Sequence, residues 1–389
     1  MQRIGIYGGT FDPPHIGHVQ AAAQAVEALC LDKLLLMPAF SAPHKHGSIT
    51  SAAHRLEMLR LAAAELPKTE VSTLEIQREG VSYTCETVQT LRRLYPDGKL
   101  YLLMGSDMFL CLRNWKNPQE ILQNVTIAVL YRGDQGEKQA VDAEAEILRG
   151  MGADVVLVRN EAVEISSTQM RRLLAFRCAG DLLPEGVLEY IREHYLYNTR
   201  APWKNLPMEQ LEEVVVSLLK PNRIAHVLGC RDTAVELARH WGADETDAAR
   251  AGILHDITKA IDGPLQLTLC QAYGKILSDF SRKYPKTLHA LTGSLVAERI
   301  FGENKAVVSA IEHHTTGKAD MSLLEKIIYV ADYMEPNRDF PGVEKLRELA
   351  FSDIDAALKL GLEMTLAHLK RQGAEVSPES REALAGLNQ

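Results

Sequence analysis

The stretch GGTFDPPHIGH, residues 8–18, follows the apolar run RIGIY at residues 3–7. The run predicts a buried strand, and from His15 onward apolar residues recur at helical spacing, so the stretch joins a strand to a helix through a glycine-rich turn. Glycine lets the backbone approach a ligand closely, and the first turn of a helix presents free N–H groups to phosphate. His15 and His18 lie three residues apart, on one side of that turn. The stretch therefore predicts a polyphosphate site at the end of the first strand.

Up to about residue 198, short apolar runs alternate with helical patterns. The predicted strands cover residues 2–7, 33–38, 71–76, 99–105, 125–131 and 154–158, and the predicted helices include 51–65, 84–95, 139–150, 168–177 and 184–195. Such alternation predicts a parallel sheet with helices on both faces. Ligands of these sheets bind outside the carboxyl ends of the strands, where residues 8–18 lie.

The pattern changes after residue 198. Residues 199–207 contain two prolines and no periodicity, so they read as a linker. Residues 208–389 show helical patterns only, at 208–219, 222–241, 244–258, 287–301, 304–314, 321–334, 352–371 and 378–387. The sequence thus predicts an α/β domain at 1–198, a linker and an all-α domain at 208–389.

Length and composition bound the functional class. The 389 residues suggest two or three domains, and 46% hydrophobic with 24% charged residues is typical of a soluble globular protein. The net charge of −8 argues against nucleic acid as a partner. No apolar run approaches the 18 residues of a membrane span, and no leader peptide is recognised. Six scattered cysteines without a C-x-x-C pair indicate reduced thiols, so we expect a cytoplasmic protein; an oligomer is compatible with the sequence.

Two distant motifs, GGTFDPPHIGH and ISSTQMRR at 165–172, together resemble the bacterial nicotinate-nucleotide adenylyltransferases. The resemblance covers residues 1–198 and implies a Rossmann-like nucleotidyltransferase domain. H-x-G-H alone is less specific, since pantetheine-phosphate adenylyltransferases and class I aminoacyl-tRNA synthetases carry related signatures. The implied reaction transfers AMP from ATP, which arrives with Mg²⁺, to nicotinate mononucleotide, giving deamido-NAD and pyrophosphate. Whether the acceptor is the acid or the amide mononucleotide is not written in the residues, and the resemblance favours the acid.

Adenylyl transfer needs positioned donors more than covalent help, because negative charge develops on the α-phosphate. Ser166, Ser167 or Thr168 can cap a helix, and Arg171 in its first turn can grip a phosphate. By resemblance, His18 stabilises the transition state and His15 contacts the triphosphate. The same resemblance assigns ATP binding to Gly8, Gly9, Thr10, Phe11, His15, His18, Gly105, Asp107, Ile165, Ser166, Ser167, Thr168 and Arg171. It assigns the mononucleotide to Lys45, Tyr83, Thr84, Trp115 and Arg132, and Glu86 stands where an aspartate is expected.

The second half contains an ordered series of histidines and aspartates. Its members are His226, His255, Asp256, His289, His313, His314 and Asp332. AGILHD and YVAD each end an apolar run with an aspartate, whose burial is costly unless its charge is compensated. A bound cation held by imidazoles and carboxylates from several helices would compensate both.

This order resembles the HD-domain phosphohydrolases, and HDITK, HHTTG and YVADYMEPNR indicate the subgroup that hydrolyses diadenosine tetraphosphate symmetrically to two ADP. On that resemblance His226, His255, Asp256 and Asp332 hold one metal. His289, His313 and His314 hold a second, with Asp256 bridging. One metal or two remains open, with iron favoured and manganese or cobalt as alternatives. Lys259 is placed near the phosphate or the attacking water, and Arg338 near the polyphosphate.

The sequence therefore predicts a bifunctional enzyme whose substrates are ATP, nicotinate mononucleotide and diadenosine tetraphosphate. Two alternatives stay open for the second domain. It either acts on another phosphoester, such as a nucleotide or a cyclic dinucleotide, or senses nucleotides without turnover.

Overall fold

The computed structural model describes residues 1–41, 50–131, 135–161, 163 and 165–387. These residues form two compact units, Met1–Arg200 and Ala201–Gln389, called unit 1 and unit 2 below. The residues predicted as a linker belong to unit 2 from Ala201 onward. The Trp203 ring stacks on Phe301 with ring centroids 5.7 Å apart, and the backbone N–H of Asn205 donates to the Phe301 carbonyl at 2.8 Å.

Within the described residues of unit 1, six parallel strands form one sheet. They are β1 (Arg3–Gly9), β2 (Lys33–Pro38), β3 (Thr69–Val71), β4 (Lys99–Gly105), β5 (Thr126–Tyr131) and β6 (Asp154–Arg159), in the spatial order β3-β2-β1-β4-β5-β6. The order reverses between β1 and β4, which pair directly with Ile6 opposite Leu102. A parallel sheet has its binding crevice at such a reversal, so the carboxyl ends of β1 and β4 are where a ligand is expected.

Helices cover both faces of this sheet, as the sequence predicts. In the described part of unit 1 they are α1 (Ile16–Ala28), α2 (Ala52–Ala63), α3 (Leu74–Arg78), α4 (Thr84–Leu94), α5 (Ser106–Leu110), α6 (Pro118–Asn124), α7 (Gln135–Gly150), α8 (Ser167–Ala175) and α9 (Glu185–Glu193). Buried residues of α1 and α2 pack on one face, and those of α4, α6 and α7 pack on the other. These two apolar layers hold the sheet in place, and the first motif lies at the carboxyl ends of its strands.

One predicted strand is largely wrong. The run VSTLEI at 71–76 was expected to be extended, but β3 ends at Val71 and α3 begins at Leu74. The Ser72 hydroxyl accepts the backbone N–H of Leu74 at 3.3 Å, which turns the chain. At the sheet edge β3 pairs only with β2 in the described residues, so the ladder offers little resistance to this local turn.

Unit 2 is helical throughout its described residues, with no strand among them. Its α-helices are α10 (Met208–Leu218), α11 (Pro221–Trp241), α12 (Glu245–Leu254), α13 (Gly263–Ala272), α14 (Asp279–Lys283), α15 (His289–Val296), α16 (Lys305–His313), α17 (Leu323–Met334), α18 (Val343–Ala350), α19 (Ile354–Arg371) and α20 (Pro378–Gly386). A π-helical turn, Ala297–Phe301, follows α15. None of the described helices in either unit has the length and hydropathy of a membrane span.

Candidate functional sites

A cavity of about 730 Å³ lies at the carboxyl ends of β1 and β4. Its volume falls within the range of small-molecule sites. The structure brings most of the predicted ATP residues to its wall: Gly8, Gly9, Thr10, Phe11, His15, His18, Gly105, Asp107, Ile165, Ser166 and Ser167. Tyr83, Thr84 and Trp115 of the predicted mononucleotide set line the same cavity. The two predicted sets therefore share one space.

The two histidines of the first motif lie at the start of α1. Their rings are close, with centroids 3.7 Å apart, and the backbone N–H of His15 donates to Nδ1 of His18 at 3.2 Å. Nδ1 of His18 is therefore an acceptor, which leaves the neutral ring's proton on Nε2. Burial, helped by the neighbouring His18, holds the pKa of His15 well below its ordinary value. Its buried Nδ1 makes no hydrogen bond of good geometry but faces the backbone N–H of His18, so the ring packs against the first turn of α1 as in a capping box.

Gly17 lets the histidine pair pack against the segment before α8. A Cβ atom at this position would lie 2.5 Å from the backbone oxygen of Val163 and 3.2 Å from Nδ1 of His15. Because a backbone oxygen cannot move aside as a flexible side chain does, only glycine fits here without a shift of the chain. The glycine in H-x-G-H is thus a packing requirement between α1 and the segment before α8.

The start of α8 is fastened to the loop after β1. The Ser166 hydroxyl caps the helix by accepting the Gln169 N–H at 3.2 Å, and the Ser167 hydroxyl donates to the Pro13 carbonyl at 3.0 Å. Arg171 donates from Nη1 to the Asp12 carbonyl at 2.7 Å and from Nη2 to the Thr168 hydroxyl at 3.1 Å. Thr168 and Arg171 of the predicted ATP set are not among the described wall residues of the cavity.

Arg55 is a functional-site residue that the sequence analysis missed. Its side chain is buried, and its guanidinium donates to four backbone carbonyls, those of Thr10, Ala39, Phe40 and Thr50, at 2.7–3.3 Å. It thereby holds the loop after β1 against the loop after β2. No sequence signal singled it out, because its partners are backbone atoms from three separate segments.

Lys116 lines the cavity together with Tyr83, Thr84 and Trp115, which were predicted to bind the mononucleotide. Its Nζ lies 3.9 Å from the centroid of the Tyr83 ring and 2.9 Å from Oε1 of Glu86, the residue that departs from the expected aspartate. The wall thus combines aromatic faces with a lysine cation, a surface suited to a planar, anionic ligand. Lys45 and Arg132 of the predicted set lie outside the described residues.

In unit 2 four ligand atoms converge. Nε2 of His226 and Nε2 of His255 are 3.3 Å apart, and each lies 3.6 Å from Oδ2 of Asp256. Oδ1 of Asp332 lies 3.1 Å from the first nitrogen and 3.8 Å from the second. Among the described residues, His226, His255 and Asp332 form one group that could hold an ion, and His255, Asp256 and His314 form another. On its other side, Oδ1 of Asp256 faces Nε2 of His289 at 3.5 Å and Nε2 of His314 at 3.8 Å.

Three of these imidazoles are oriented so that Nε2 faces the cluster. Nδ1 of His255 donates to the Gly252 carbonyl at 2.8 Å, and Nδ1 of His314 donates to the Ile311 carbonyl at 2.7 Å. Nδ1 of His226 lies 3.0 Å from Oε1 of Glu335, another residue that the sequence analysis missed. A carbonyl or carboxylate on Nδ1 is the usual support of a metal-binding histidine, because it leaves the Nε2 lone pair for the ion.

The pKa values agree with neutral imidazoles beside ionised carboxylates. Burial lowers the pKa of His314 to about 4 and holds the pKa of His255 well below its ordinary value, against the opposing charge of Asp332. Burial alone would raise the pKa of Asp332, but hydrogen bonding to His226 and the nearby His255 and Arg338 hold it well below its ordinary value. Neutral nitrogen and anionic oxygen are the forms that bind metal, so the residues present fit a divalent ion.

The structure does not bring His313 into this cluster. Its Nδ1 donates to the Ser309 carbonyl at 2.8 Å and lies 3.5 Å from Oε1 of Glu325. The helical phase explains the difference, because adjacent residues of α16 and its C-cap point about 100° apart. Of the predicted pair, His314 alone faces Asp256.

Two predicted cations border the cluster. Nζ of Lys259 lies 2.7 Å from Nε2 of His289 and 3.8 Å from Oδ1 of Asp256, and Nη2 of Arg338 donates to Oδ1 of Asp332 at 2.7 Å. A third cation, Arg223, was missed by the sequence analysis; its Nη2 forms an ion pair with Oδ2 of Asp256. The cluster is therefore ringed by three cations that an anionic ligand can meet.

Comparisons with known proteins divide the chain as the structure does. Residues 6–173 match the cytidylyltransferase-like family, and residues 223–337 match the HD domain. A probable nicotinate-nucleotide adenylyltransferase of Neisseria meningitidis is 38% identical over 199 residues, 51% of this chain and 99% of that protein. A probable nicotinate-nucleotide adenylyltransferase/Ap4A hydrolase of Mycoplasma pneumoniae is 30% identical over 374 residues, 94% of this chain and 98% of that protein.

Among solved structures, an HD superfamily hydrolase involved in NAD metabolism from Clostridium acetobutylicum is 36% identical to this chain. It matches with a TM-score of 0.46 and covers 47% of this chain and 97% of its own. In unit 2 the HD-domain match covers residues 223–337. That range encloses the whole ligand cluster.

Proposed function

This chain belongs to the family that joins a nicotinate-nucleotide adenylyltransferase to an Ap4A hydrolase, and from that premise we propose how its residues divide the two reactions. Unit 1 transfers AMP from ATP to nicotinate mononucleotide, giving deamido-NAD and pyrophosphate. Unit 2 hydrolyses diadenosine tetraphosphate symmetrically to two ADP. The cytoplasmic location predicted from the cysteines belongs to the same proposal.

In unit 1 a phosphate oxygen of the mononucleotide attacks the α-phosphorus of ATP, and the bond between that phosphorus and the bridging oxygen to the β-phosphate breaks. Negative charge grows on the α-phosphate oxygens and on the departing pyrophosphate. His18 meets this charge through its Nε2–H, and the backbone N–H groups at the start of α8 meet the phosphates. His15, which lines the same cavity, is assigned to the triphosphate as the sequence resemblance implies.

The mononucleotide, which accepts the AMP, is assigned to the other half of the cavity. We assign the pyridine ring to Trp115, Tyr83 and Thr84, and the phosphate to Lys45 and Arg132, in keeping with the sequence resemblance. The acid form of the mononucleotide is favoured by the sequence resemblance, and Lys116, which pairs with Glu86, lies beside the Tyr83 ring in this half of the cavity. This choice is tested by comparing kcat/KM for nicotinate and nicotinamide mononucleotides.

The convergence of the two motifs on one cavity carries the assignment of unit 1. His18→Ala is the test, with ATP binding followed by calorimetry and pyrophosphate release by a coupled assay. We expect kcat to fall about a hundredfold while ATP still binds, since the lost donor acts on charge that develops in the transition state. His194→Ala, an exposed histidine of the same unit, is the control. Turnover that persists while ATP binding is lost would contradict this role.

In unit 2 the residues fit a metal, and we assign it to His226, His255, Asp256 and Asp332, with His289, His314 and the second oxygen of Asp256 for a second ion. Such metals supply an activated water and stabilise charge on the phosphoryl oxygens. The imidazole-rich set favours iron, manganese or cobalt over magnesium. Lys259 and Arg338 are placed to bind the phosphates. The water oxygen adds to one of the two central phosphorus atoms, and the central P–O bond breaks to leave two ADP.

Metal analysis of the purified protein, paired with an Ap4A assay under added Fe²⁺ or Mn²⁺, tests unit 2. We expect one or two transition-metal ions per chain and ADP as the product. Asp256→Asn should remove metal and hydrolysis together, because it changes the carboxylate that faces both ligand groups. Hydrolysis of nucleoside monophosphates or cyclic dinucleotides in place of Ap4A would overturn the substrate, and binding without turnover would make unit 2 a sensor.

A further inference from the structure

Two arginines hold the carboxylate oxygens that face the histidines of unit 2. Nη2 of Arg223, in the first turn of α11, forms an ion pair with Oδ2 of Asp256. Nη2 of Arg338 lies 2.7 Å from Oδ1 of Asp332. These are the two oxygens that approach the Nε2 atoms of His226 and His255 within 3.1–3.8 Å. A divalent ion bound to those atoms would therefore have a guanidinium group beside each of its carboxylate ligands.

The balance of charge changes when such an ion binds. Asp256, Asp332 and Glu335 carry three negative charges, and Arg223, Lys259 and Arg338 carry three positive ones. The metal-free cluster is thus close to neutral, whereas one divalent ion gives it a surplus of two positive charges and a second ion gives more. Like charges at this range repel strongly in a buried site. An anion with several charges is the ligand that relieves the surplus.

Arg223 is partly exposed and has a donor available for a second anion besides Asp256. The carboxylate of Asp256 is almost fully buried, while the Arg223 side chain is 26% exposed, so the arginine lies between the cluster and solvent. Its Nε atom and Oδ2 of Asp256 are both buried without a hydrogen-bond partner among the described residues, so the two groups are paired by charge and not by a well-aligned hydrogen bond. An arginine with unused donors at the mouth of a cationic site matches the geometry of a phosphate-binding residue.

We propose that Arg223 is an exchangeable counter-ion: it neutralises Asp256 in the metal-free protein and binds a phosphate of the substrate once metal occupies the cluster. The proposal rests on the function assigned to unit 2 and adds to it a phosphate ligand that the sequence resemblance did not indicate. Arg338 makes the equivalent contact with Asp332. Together they couple metal loading to polyphosphate binding.

A structural role for Arg223 makes the opposite prediction for the metal. If the arginine only positions Asp256, its removal weakens metal binding. If it competes with the metal, its removal leaves metal binding as tight or makes it tighter, and the loss appears in phosphate binding alone. Two binding measurements on the full-length chain therefore separate the two roles without reference to turnover.

The experiment titrates Mn²⁺ into chelator-treated protein by calorimetry, and then ADP into the Mn²⁺-loaded protein. For Arg223→Ala we expect an unchanged or lower Kd for Mn²⁺ and a Kd for ADP raised about ten- to hundredfold, the usual loss for hydrogen bonds between charged groups. Arg223→Lys, which keeps the charge without the planar fork, should lie between the two. Arg231→Ala is the matched control, since it lies on the same helix and pairs with Glu212 and Asp232.

A Kd for Mn²⁺ raised to the level of Asp256→Asn overturns the proposal in favour of a positioning role, and an unchanged Kd for ADP overturns it outright. Adenylyl transfer by unit 1 and the circular dichroism spectrum report whether each variant folds. If Arg223→Ala fails to fold, Arg223→Lys decides by the same two constants. Wild-type protein that binds Mn²⁺ and ADP but leaves Ap4A intact would refute the assigned substrate of unit 2, while these binding constants would still test Arg223.

Discussion

Gly17 shows at the scale of one residue why the third position of H-x-G-H has no room for a side chain. The space that a Cβ would need is taken by the backbone oxygen of Val163, at 2.5 Å. Gly17→Ala should therefore push α1 away from the segment before α8 and move His18 relative to the serines that cap α8. We expect kcat/KM for adenylyl transfer to fall at least about tenfold, because small misplacements of catalytic groups are costly. Steady-state kinetics with ATP and nicotinate mononucleotide measure it.

The matched control for this change is Gly150→Ala. Gly150 ends α7, and a Cβ there meets nothing within 4 Å. For Gly150→Ala, the thermal unfolding midpoint should stay at the wild-type value or rise slightly, since alanine favours helix. The rate of adenylyl transfer should stay at the wild-type value. Equal activity for Gly17→Ala and wild type would show that the α1 contact with Val163 is not what places the histidines.

At the scale of elements, Arg55 joins α2 to the loops after β1 and β2. Arg55→Met keeps the length of the side chain but removes the donors to four carbonyls. We expect the free energy of unfolding of unit 1 to fall by about 3 kcal/mol or more, because buried carbonyls without partners are costly. Urea unfolding measures the loss, and adenylyl transfer should fall with it.

Arg60→Ala, on the same helix, is the comparison for Arg55. Arg60 is exposed and pairs only with Glu57 at 3.2 Å in the described structure. An exposed pair of this kind contributes little, so the change in unfolding free energy should stay within about 0.5 kcal/mol. Similar effects of the two substitutions would mean that the loops hold together without Arg55.

Glu325 joins α16 to α17 and predicts a pH dependence for unit 2. Burial alone would raise the pKa of this buried carboxyl, but contacts with His313, Lys318 and Ser309 and the backbone of Ser322 hold it well below its ordinary value. A depressed pKa means that the unfolded chain takes up the proton more readily, so the stabilisation is complete above about pH 4.5 and is lost progressively below it. Urea unfolding between pH 6 and 3.5 should show this loss, and it should be smaller in Glu325→Gln.

The control for Glu325 is Glu344→Gln, an exposed carboxyl that pairs with Arg347 on α18. Its unfolding free energy should fall with pH as the wild type does. Parallel curves for wild type and Glu325→Gln would show that another group causes the acid sensitivity of unit 2.

The sequence could predict the elements that have a strong local pattern. Apolar runs and helical spacing located most strands and helices, and the glycine-rich turn after β1 predicted a ligand site at the end of that strand, where the first cavity lies. The edge strand β3 was overestimated, because a local hydroxyl contact decided it. Arg55, Glu335 and Arg223 could not be recognised, since each acts through a partner that only folding brings near. His313 was expected among the ligands of a second metal, but helical phase turns it toward Ser309 and Glu325, which adjacency in sequence does not reveal.

For the whole molecule, we predict that the two reactions depend on different metal ions, because the metal ligands available in the two units differ. We expect ATP to carry Mg²⁺ into unit 1 as part of the substrate. The cluster of unit 2 combines imidazole nitrogens with carboxylates, so there we expect Mn²⁺, Fe²⁺ or Co²⁺. After chelation and dialysis, Mg²⁺ alone should restore deamido-NAD formation and leave Ap4A hydrolysis low. Added Mn²⁺ should restore ADP release from Ap4A. Product chromatography with both substrate sets measures the two reactions in one preparation.

Thermal unfolding of the same samples gives an independent test of where the metal acts. A metal at one hundred times its Kd stabilises the unit that binds it by about 2.7 kcal/mol. Mn²⁺ should therefore raise the unfolding midpoint of unit 2 and leave that of unit 1 unchanged, and Asp256→Asn should abolish the shift. If Mg²⁺ restored hydrolysis as fully as Mn²⁺, the histidines would not be the ligands that select the ion, and the oxygen atoms of Asp256 and Asp332 alone would define the site.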